Sequence, residues 1–414
     1  MKKKIWLINH YATGMHLSKG GRHYWFAKEL LKRGYEPTII CANTYHNSKN
    51  YEDTGNEKYI VKDVDGIPFV FVKTKSAVTN GLDRIISMIT FYLNLSKISK
   101  SIKKKLGKPD VILASSVHPL SWLAGYRVAK KNNIKLIAET RDLWPETLIA
   151  MGATKRTSLA AKILYKLEKH IYKNADALIF TMAGGEDYLR DIGLNRDNVY
   201  HINNGLDLEL YNDNLMKYCY PDDDLDNEEL FKIMYTGSMG QANDLIWLVK
   251  SAEEIQRQGL RNIRFVLFGS GPQKNEFIKY IKDKQIKNIV FKDNVEKKYI
   301  PSILKKGNLN VFTGQKTYLY KYGISLNKMF DYFASGKATL SNLECRYDLL
   351  EKYQCGITVK GESVDEIVKG ILFFYNMPKA EYDIYCENAI KAAKDHDFKK
   401  HTDKLENIIT AQLQ

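Results

Sequence analysis

The chain alternates short apolar runs with longer helical patterns, stops, and then starts the same rhythm again. The runs at 5–8, 36–41, 69–72, 111–114, 135–139, 177–180 and 199–202 read as strands, and 21–33, 120–131 and 158–174 read as helices. Near-continuous apolar strands are covered on both faces, so this alternation predicts an open, mainly parallel α/β sheet. After Pro221-Asp222-Asp223-Asp224 the pattern resumes, with strands at 232–236, 264–268, 289–292 and 309–313 and helices at 244–258, 273–284 and 300–306. A chain of 414 residues exceeds one ordinary core, which agrees with two domains. The expected division is 1–205 and 206–385, with the Asn- and Asp-rich stretch 203–226 as hinge linker and its acidic triplet as solvated charge. Two doubly wound domains of this kind facing each other place a ligand in a central cleft, between the carboxyl ends of both sheets.

Composition narrows the partners. Lys and Arg number 63 against 48 Asp and Glu, a net charge of +15, which favours phosphates, an acidic membrane face or nucleic acid. Five scattered cysteines (Cys41, Cys219, Cys345, Cys355, Cys386) contain no C-x-x-C pair, which argues against a zinc ribbon and for a reducing compartment. The basic Met1-Lys2-Lys3-Lys4 precedes only four apolar residues, too short for a secretory h-region. No apolar run is long enough to span a bilayer.

The most informative segment is Tyr322-Gly323-Ile324-Ser325-Leu326-Asn327-Lys328-Met329-Phe330-Asp331-Tyr332-Phe333-Ala334-Ser335-Gly336. It reads as a glycine-containing loop, a helix and a Gly stop, with Ser325 or Asn327 as the expected cap. Lys328 in the first turn and Asp331 one turn on share a face. A helix N-terminus already favours phosphate, and Lys328 adds a full charge; Asp331 is an acceptor for a ribose diol. Other loops follow strands in the same way. Gly20 and Gly21 open the first helix after the long 9–18 loop, which contains His10 and His16. Ser115-Ser116-Val117-His118 ends one strand, and Glu139-Thr140-Arg141-Asp142-Leu143-Trp144-Pro145-Glu146-Thr147 ends the next. Three charges close together at a strand end cannot be buried unpaired. Arg141 either pins the loop by pairing with Glu139 or Glu146, or faces a ligand beside Asp142. In the second half, Gly237, Gln241, Gly271 and Asn294 occupy the corresponding strand-end loops.

The 322–336 segment resembles the donor-site signature of the retaining GT-B glycosyltransferases of family 4. In that signature two spaced glutamates contact the donor. Asp331 falls on the second, the ribose-binding one; Gly323 holds the place of the first, and Leu326 replaces a proline. The Arg141-Asp142-Leu143-Trp144-Pro145-Glu146 string resembles a motif of the bacterial amino-sugar transferase subgroup, of the N-acetylfucosamine type. The resemblance spans positions 20 to 340 and implies the GT-B fold, with the tail 386–414 crossing back to the first domain. It implies retaining transfer of an N-acetylated amino sugar, 6-deoxy forms included. The donor is a UDP-sugar and the acceptor a polyprenyl-diphosphate-linked saccharide for capsular polysaccharide or O-antigen. It implies Lys328, Asp142 and His118 as catalytic. It implies Gly20, Gly21, Gly237, Gln241, Gly271, Asn294, Ser325, Asn327, Lys328 and Asp331 around the donor, and His10, His16, Arg141 and Asp142 around the acceptor. GT-B enzymes stabilise the leaving diphosphate with Lys, Arg and helix dipoles, so no metal and no cofactor are expected. The Arg and Lys that clamp the diphosphate in much of the family are replaced by Gln241 and Asn243, which leaves Lys328 as the principal cation.

The stretch 82–108 places an apolar helical stripe before Lys97, Lys100, Lys103, Lys104, Lys105 and Lys108. Such a segment suits an anionic membrane interface, and equally a core helix with a solvated face. A cytoplasmic enzyme, peripheral on the inner face of the plasma membrane, is expected. The rival class is a basic α/β nucleic-acid-binding module without catalysis; it needs aromatic platforms interleaved with Arg, whereas the basic excess here is mostly Lys.

Overall fold

The structure is a computed structural model that describes residues 2–46, 48–77, 81–116 and 118–414; Val117 of the 115–119 loop lies outside them. It comprises two α/β units, one formed by Met1–Asn203 with Phe398–Gln414 and the other by Asn204–Asp397.

The first unit is built on β1 (Lys4–Ile8), β2 (Glu36–Ala42), β3 (Tyr59–Val64), β4 (Ile67–Val72), β5 (Val111–Ser116), β6 (Lys135–Thr140), β7 (Ala177–Phe180) and β8 (Val199–His201), in the order β3-β4-β2-β1-β5-β6-β7-β8. All pairs are parallel except β3 with β4, a hairpin turned by Asp65 and Gly66, both at positive φ. The helix Arg22–Lys32 lies on one face of this sheet, and Phe398–Leu413 packs on it through Phe398, whose ring is 4.8 Å from Trp25 and 5.1 Å from Phe26. The residues at 386–397 stay with the second unit, where Ala389, Ala392 and Ala393 join its core.

The second sheet contains β9 (Phe231–Thr236), β10 (Ile263–Phe268), β11 (Ile289–Lys292), β12 (Leu309–Phe312), β13 (Ala338–Ser341) and β14 (Gly356–Thr358), ordered β11-β10-β9-β12-β13-β14 and parallel throughout. The stretch 203–226, expected as a linker, instead holds the helices Leu208–Lys217 and Asp223–Asp226, and Leu206, Tyr211 and Leu225 enter the core. Asp207, Asp222 and Asp224 are caps and ion-pair partners rather than solvated charge, while Asp223 is exposed. Asp207 accepts from Leu210 N and Asp222 from Leu225 N, while Lys292 pairs with Asp222 at 2.8 Å and Asp224 at 2.7 Å. An Asn/Asp cluster signals a helix start as readily as a loop.

At the carboxyl edge of the first sheet, three chain segments meet on one buried ion pair. Gly21, at φ 104°, turns the backbone into the helix and directs Arg22 inward. Arg22 Nε donates to Glu139 at 3.0 and 2.8 Å, Nη1 to Asn203 O at 2.6 Å and Nη2 to Ile202 O at 2.9 Å. Glu139 sits at the end of β6 and is fully buried. Burial alone would raise its carboxyl, but Arg22 and then His23 hold it well below the usual carboxylate range. Removing one member of a buried pair strands the other. Arg22→Met should therefore lower unfolding free energy by about 3–5 kcal/mol in urea titration, with the double change Arg22→Met/Glu139→Leu recovering part of the loss.

Candidate functional site

In the second unit the loops after β9 and β10 touch backbone to backbone. Gly237 N donates to Phe268 O at 3.0 Å and Met239 N to Ser270 O at 2.8 Å, so the ladder continues past the strands. A Cβ on Gly269 would stand 1.8 Å from Gly237 O, and one on Gly271 2.3 Å from Met239 O. Only glycine permits this approach. Asn294, exposed on the loop after β11, donates to Ser270 Oγ at 2.7 Å and joins the same rim.

Over this rim stands the helix Asn327–Ala334. Lys328 Nζ donates to Tyr235 Oη and to Asn243 Oδ1, each at 2.8 Å, and lies 4.2 Å from the centre of the Tyr235 ring. Asn243 is in turn held by Ser238 Oγ at 2.9 Å and Thr313 at 2.6 Å. Of the two residues that replace the family's clamping cations, Asn243 positions Lys328 and Gln241 is exposed. A Cβ at Gly237 would lie 3.0 Å from Lys328 Nζ, so the ammonium rests on the glycine. No carboxylate pairs with Lys328 among the described residues. Burial depresses its ammonium to about 7.

The expected cap is corrected. Leu326 is the N-cap and its side chain makes no cap bond. Ser325 Oγ accepts from Asn204 N at 3.1 Å, and Asn327 lies exposed in the first turn. The first helical N–H groups therefore keep their capacity for an anion beside Lys328. Asp331 is half-buried one turn on, and its carboxylate accepts no hydrogen bond among the described residues. Burial raises it, against the opposing pull of Lys297. Gly323, at φ 93° and ψ 173°, occupies backbone space that a glutamate would enter only with strain.

In the first unit the expected residues separate into inward and outward sets. His118 Nε2 meets His10 Nδ1 at 2.9 Å, and both rings are buried. Burial pushes His118 down to about 3; burial and then His118 push His10 well below its ordinary value. Both rings are held in the neutral form near neutral pH, each with a single N–H. His16 is also turned inward, with Nδ1 on Thr13 O at 2.7 Å and Nε2 on Glu52 at 3.2 Å. The acceptor-side role expected of His10 and His16 and the catalytic role expected of His118 therefore lack an exposed side chain. Arg141 and Asp142 do reach solvent. Arg141 does not pin its loop by an ion pair: Glu139 is taken by Arg22, and Glu146 by Arg156 at 2.7 Å and by Tyr165. Gly20 lies beside the Gly21 turn. The Arg22–Glu139–His23 cluster was not anticipated as a unit; its only signal was an Arg directly after Gly-Gly and a Glu at a strand end.

Residues 24–210 match the family model Glycosyltransferase Family 4, and residues 231–376 match Glycosyl transferases group 1. The chain is a GT-B glycosyltransferase. Its fold is similar to that of sucrose-phosphate synthase from Thermosynechococcus elongatus, at 15% identity over 99% of each chain with a TM-score of 0.72. It is also similar to Anabaena HepE, solved with UDP and glucose, at 12% identity over 99% of this chain and 100% of that one, with a TM-score of 0.67. A UDP-forming trehalose-phosphate synthase from Burkholderia xenovorans matches at 10% identity over 100% of both chains, with a TM-score of 0.70. No curated protein matches the sequence. The rival reading, a nucleic-acid-binding module without catalysis, is set aside by the two family matches.

An anion bound beside Lys328 would be held with a pH-dependent affinity. A bound diphosphate favours the ammonium and raises its pKa, so binding takes up a proton wherever the free site has lost one, which is above about 7. The Kd for pyrophosphate should rise toward about tenfold per pH unit on the alkaline side. Calorimetry at alkaline pH in two buffers of different ionisation enthalpy should show the uptake, and Lys328→Met should abolish it.

Proposed function

We propose that the enzyme transfers an N-acetylated amino sugar, 6-deoxy forms included, from a UDP-sugar to a polyprenyl-diphosphate-linked saccharide, with retention and without a metal. The products belong to capsular polysaccharide or O-antigen assembly at the cytoplasmic face of the plasma membrane. The observation that carries the donor reading is Lys328. It is a half-buried ammonium without a counter-ion, seated on Gly237 at the uncapped start of the helix that bears Asp331. A leaving diphosphate supplies the missing anion, and Asp331 accepts from the ribose diol. Gly237, Gly271 and Asn294 shape the rim, with Gln241 and Asn327 exposed beside it. HepE and the trehalose-phosphate synthase are described with UDP chemistry, which supports the same donor class. The amino-sugar assignment rests on the Arg141–Glu146 motif. Arg141, without an ion-pair partner among the described residues, suits a phosphate-bearing acceptor, and Asp142 suits its hydroxyl.

Charge builds on the diphosphate as the glycosidic bond to the donor breaks. Lys328 and the first-turn N–H groups meet that charge in place, without reorganisation.

The membrane reading rests on the helix Leu82–Leu106, which has two faces. Ser87, Phe91, Leu95, Ile98, Ser99 and Ile102 are buried, while Leu82, Ile85, Ile86, Ile89 and Leu93 are exposed and continue into exposed Lys97, Lys100 and Lys104. No helix among the described residues is long and apolar enough to cross a membrane. An anionic bilayer surface covers both parts of this outer stripe.

Two substitutions test the donor reading. Lys328→Ala should lower kcat by about 10²-fold, more than it weakens UDP binding; near-normal turnover with only a raised KM contradicts it. Asp331→Ala should cost about 1.5–3 kcal/mol of UDP affinity by calorimetry; unchanged affinity removes Asp331 from the ribose.

A further inference from the structure

We infer that the first unit carries a second membrane-seating element at Met151, Leu159 and Ile163, so that the acceptor-side loop is held against an anionic bilayer at two points. This rests on the membrane reading of the helix Leu82–Leu106.

The three side chains are 70%, 75% and 57% exposed. Leu159 and Ile163 lie one turn apart on the helix Leu159–Asn174, and Met151 ends the short helix Glu146–Ala150 that follows the Arg141–Pro145 motif. Large apolar groups so exposed are ordinary singly, but here three fall within the stretch 151–163, interleaved with cations. Lys155, Arg156, Lys162 and Lys166 are exposed around them.

The placement matches that of the Leu82–Leu93 stripe. The helices Leu82–Leu106 and Leu159–Asn174 flank Pro119–Asn132: Arg127 Nη1 donates to Tyr92 Oη at 2.8 Å on one side, and the Tyr126 and His170 rings are 5.0 Å apart on the other. Both outer helices run the same way. Ser87 reaches His10, just beyond the carboxyl end of β1, at 3.4 Å, while Gly107 abuts Lys4 at its amino end. Asn174 likewise leads to Asp176, which pairs with Lys135 at the amino end of β6 at 2.8 Å. The apolar starts of both helices therefore lie toward the ligand-bearing edge of the sheet. The lysine-rich continuations, Lys97, Lys100 and Lys104 on one helix and Lys166, Lys169 and Lys173 on the other, run away from it. Apolar groups along one edge with cations behind them fit acyl chains and anionic head groups. Glu146 binds Arg156 at 2.7 Å and also Tyr165, so the element is tied directly to the loop that presents Arg141 and Asp142.

Co-sedimentation of the full chain with phosphatidylglycerol-containing vesicles, and with phosphatidylcholine alone, tests this. The proteins are wild type, a Leu82→Ser/Ile86→Ser/Ile89→Ser variant and a Met151→Ser/Leu159→Ser/Ile163→Ser variant. Each triple change should weaken partitioning onto anionic vesicles by about tenfold or more. Leu159→Trp, read as the difference from wild type, should add a blue-shifted emission component on anionic vesicles. If the first variant loses binding while the second binds like wild type and Leu159→Trp emission does not move, the second element falls and the membrane reading stands. If wild type fails to bind anionic vesicles, both fall. If the second variant changes only a self-association seen by gel filtration, the patch is a contact between copies of this chain and the inference is overturned.

Discussion

The Arg22–Glu139 pair sets the carboxyl edge of the first unit. An ion pair in a dry interior is tolerable only when the remaining hydrogen-bonding capacity is also filled, and here the main-chain carbonyls of Ile202 and Asn203 do so. One guanidinium therefore gathers the glycine turn, the end of β6 and the chain leaving β8. The pair also decides what is left over. With Glu139 taken by Arg22, Arg141 two residues on makes no ion pair among the described residues and is partly exposed.

The second unit reaches a comparable result with no buried ion pair at its centre. Its rim is made of backbone: Gly237, Gly269 and Gly271 let two loops close to a distance no side chain permits. Lys328 is then held by a phenol and a carboxamide, groups that orient an ammonium without neutralising it. An under-compensated charge near an uncapped helix start favours an anion over a cation.

What was legible in the sequence follows from how far apart the cooperating residues lie. Apolar runs such as 5–8, 111–114 and 264–268 announce buried parallel strands because both faces must be covered. The strand Tyr59–Val64 escaped because it is half-exposed and carries Lys62 and Asp63, although the Asp65-Gly66 turn signalled its hairpin; β13 is half polar, with Thr339 and Ser341, and β14 is only three residues long. Lys328 and Asp331 could be read together because their relation is a single helical turn. Arg22 and Glu139 are 117 positions apart, and no local pattern couples them. The inward direction of the histidines was hidden for a related reason. Position after a strand says that a residue is near the edge, but the direction of His16 is set by Glu52 and that of His118 by His10, contacts made only in the folded chain.

The helix Phe398–Leu413 has a consequence for the order in which the molecule can mature. It supplies Phe398, Leu405, Ile408 and Ile409 to a core otherwise built from residues before 204. During synthesis that core stays open on the side of Trp25 and Phe26 until the last segment has emerged. The second unit, contiguous from Asn204 to Asp397, has no such wait. The unit begun first is thus completed only after the second, and until Phe398–Leu413 emerges the nascent chain carries an uncovered aromatic surface, a natural substrate for chaperones that recognise such surfaces.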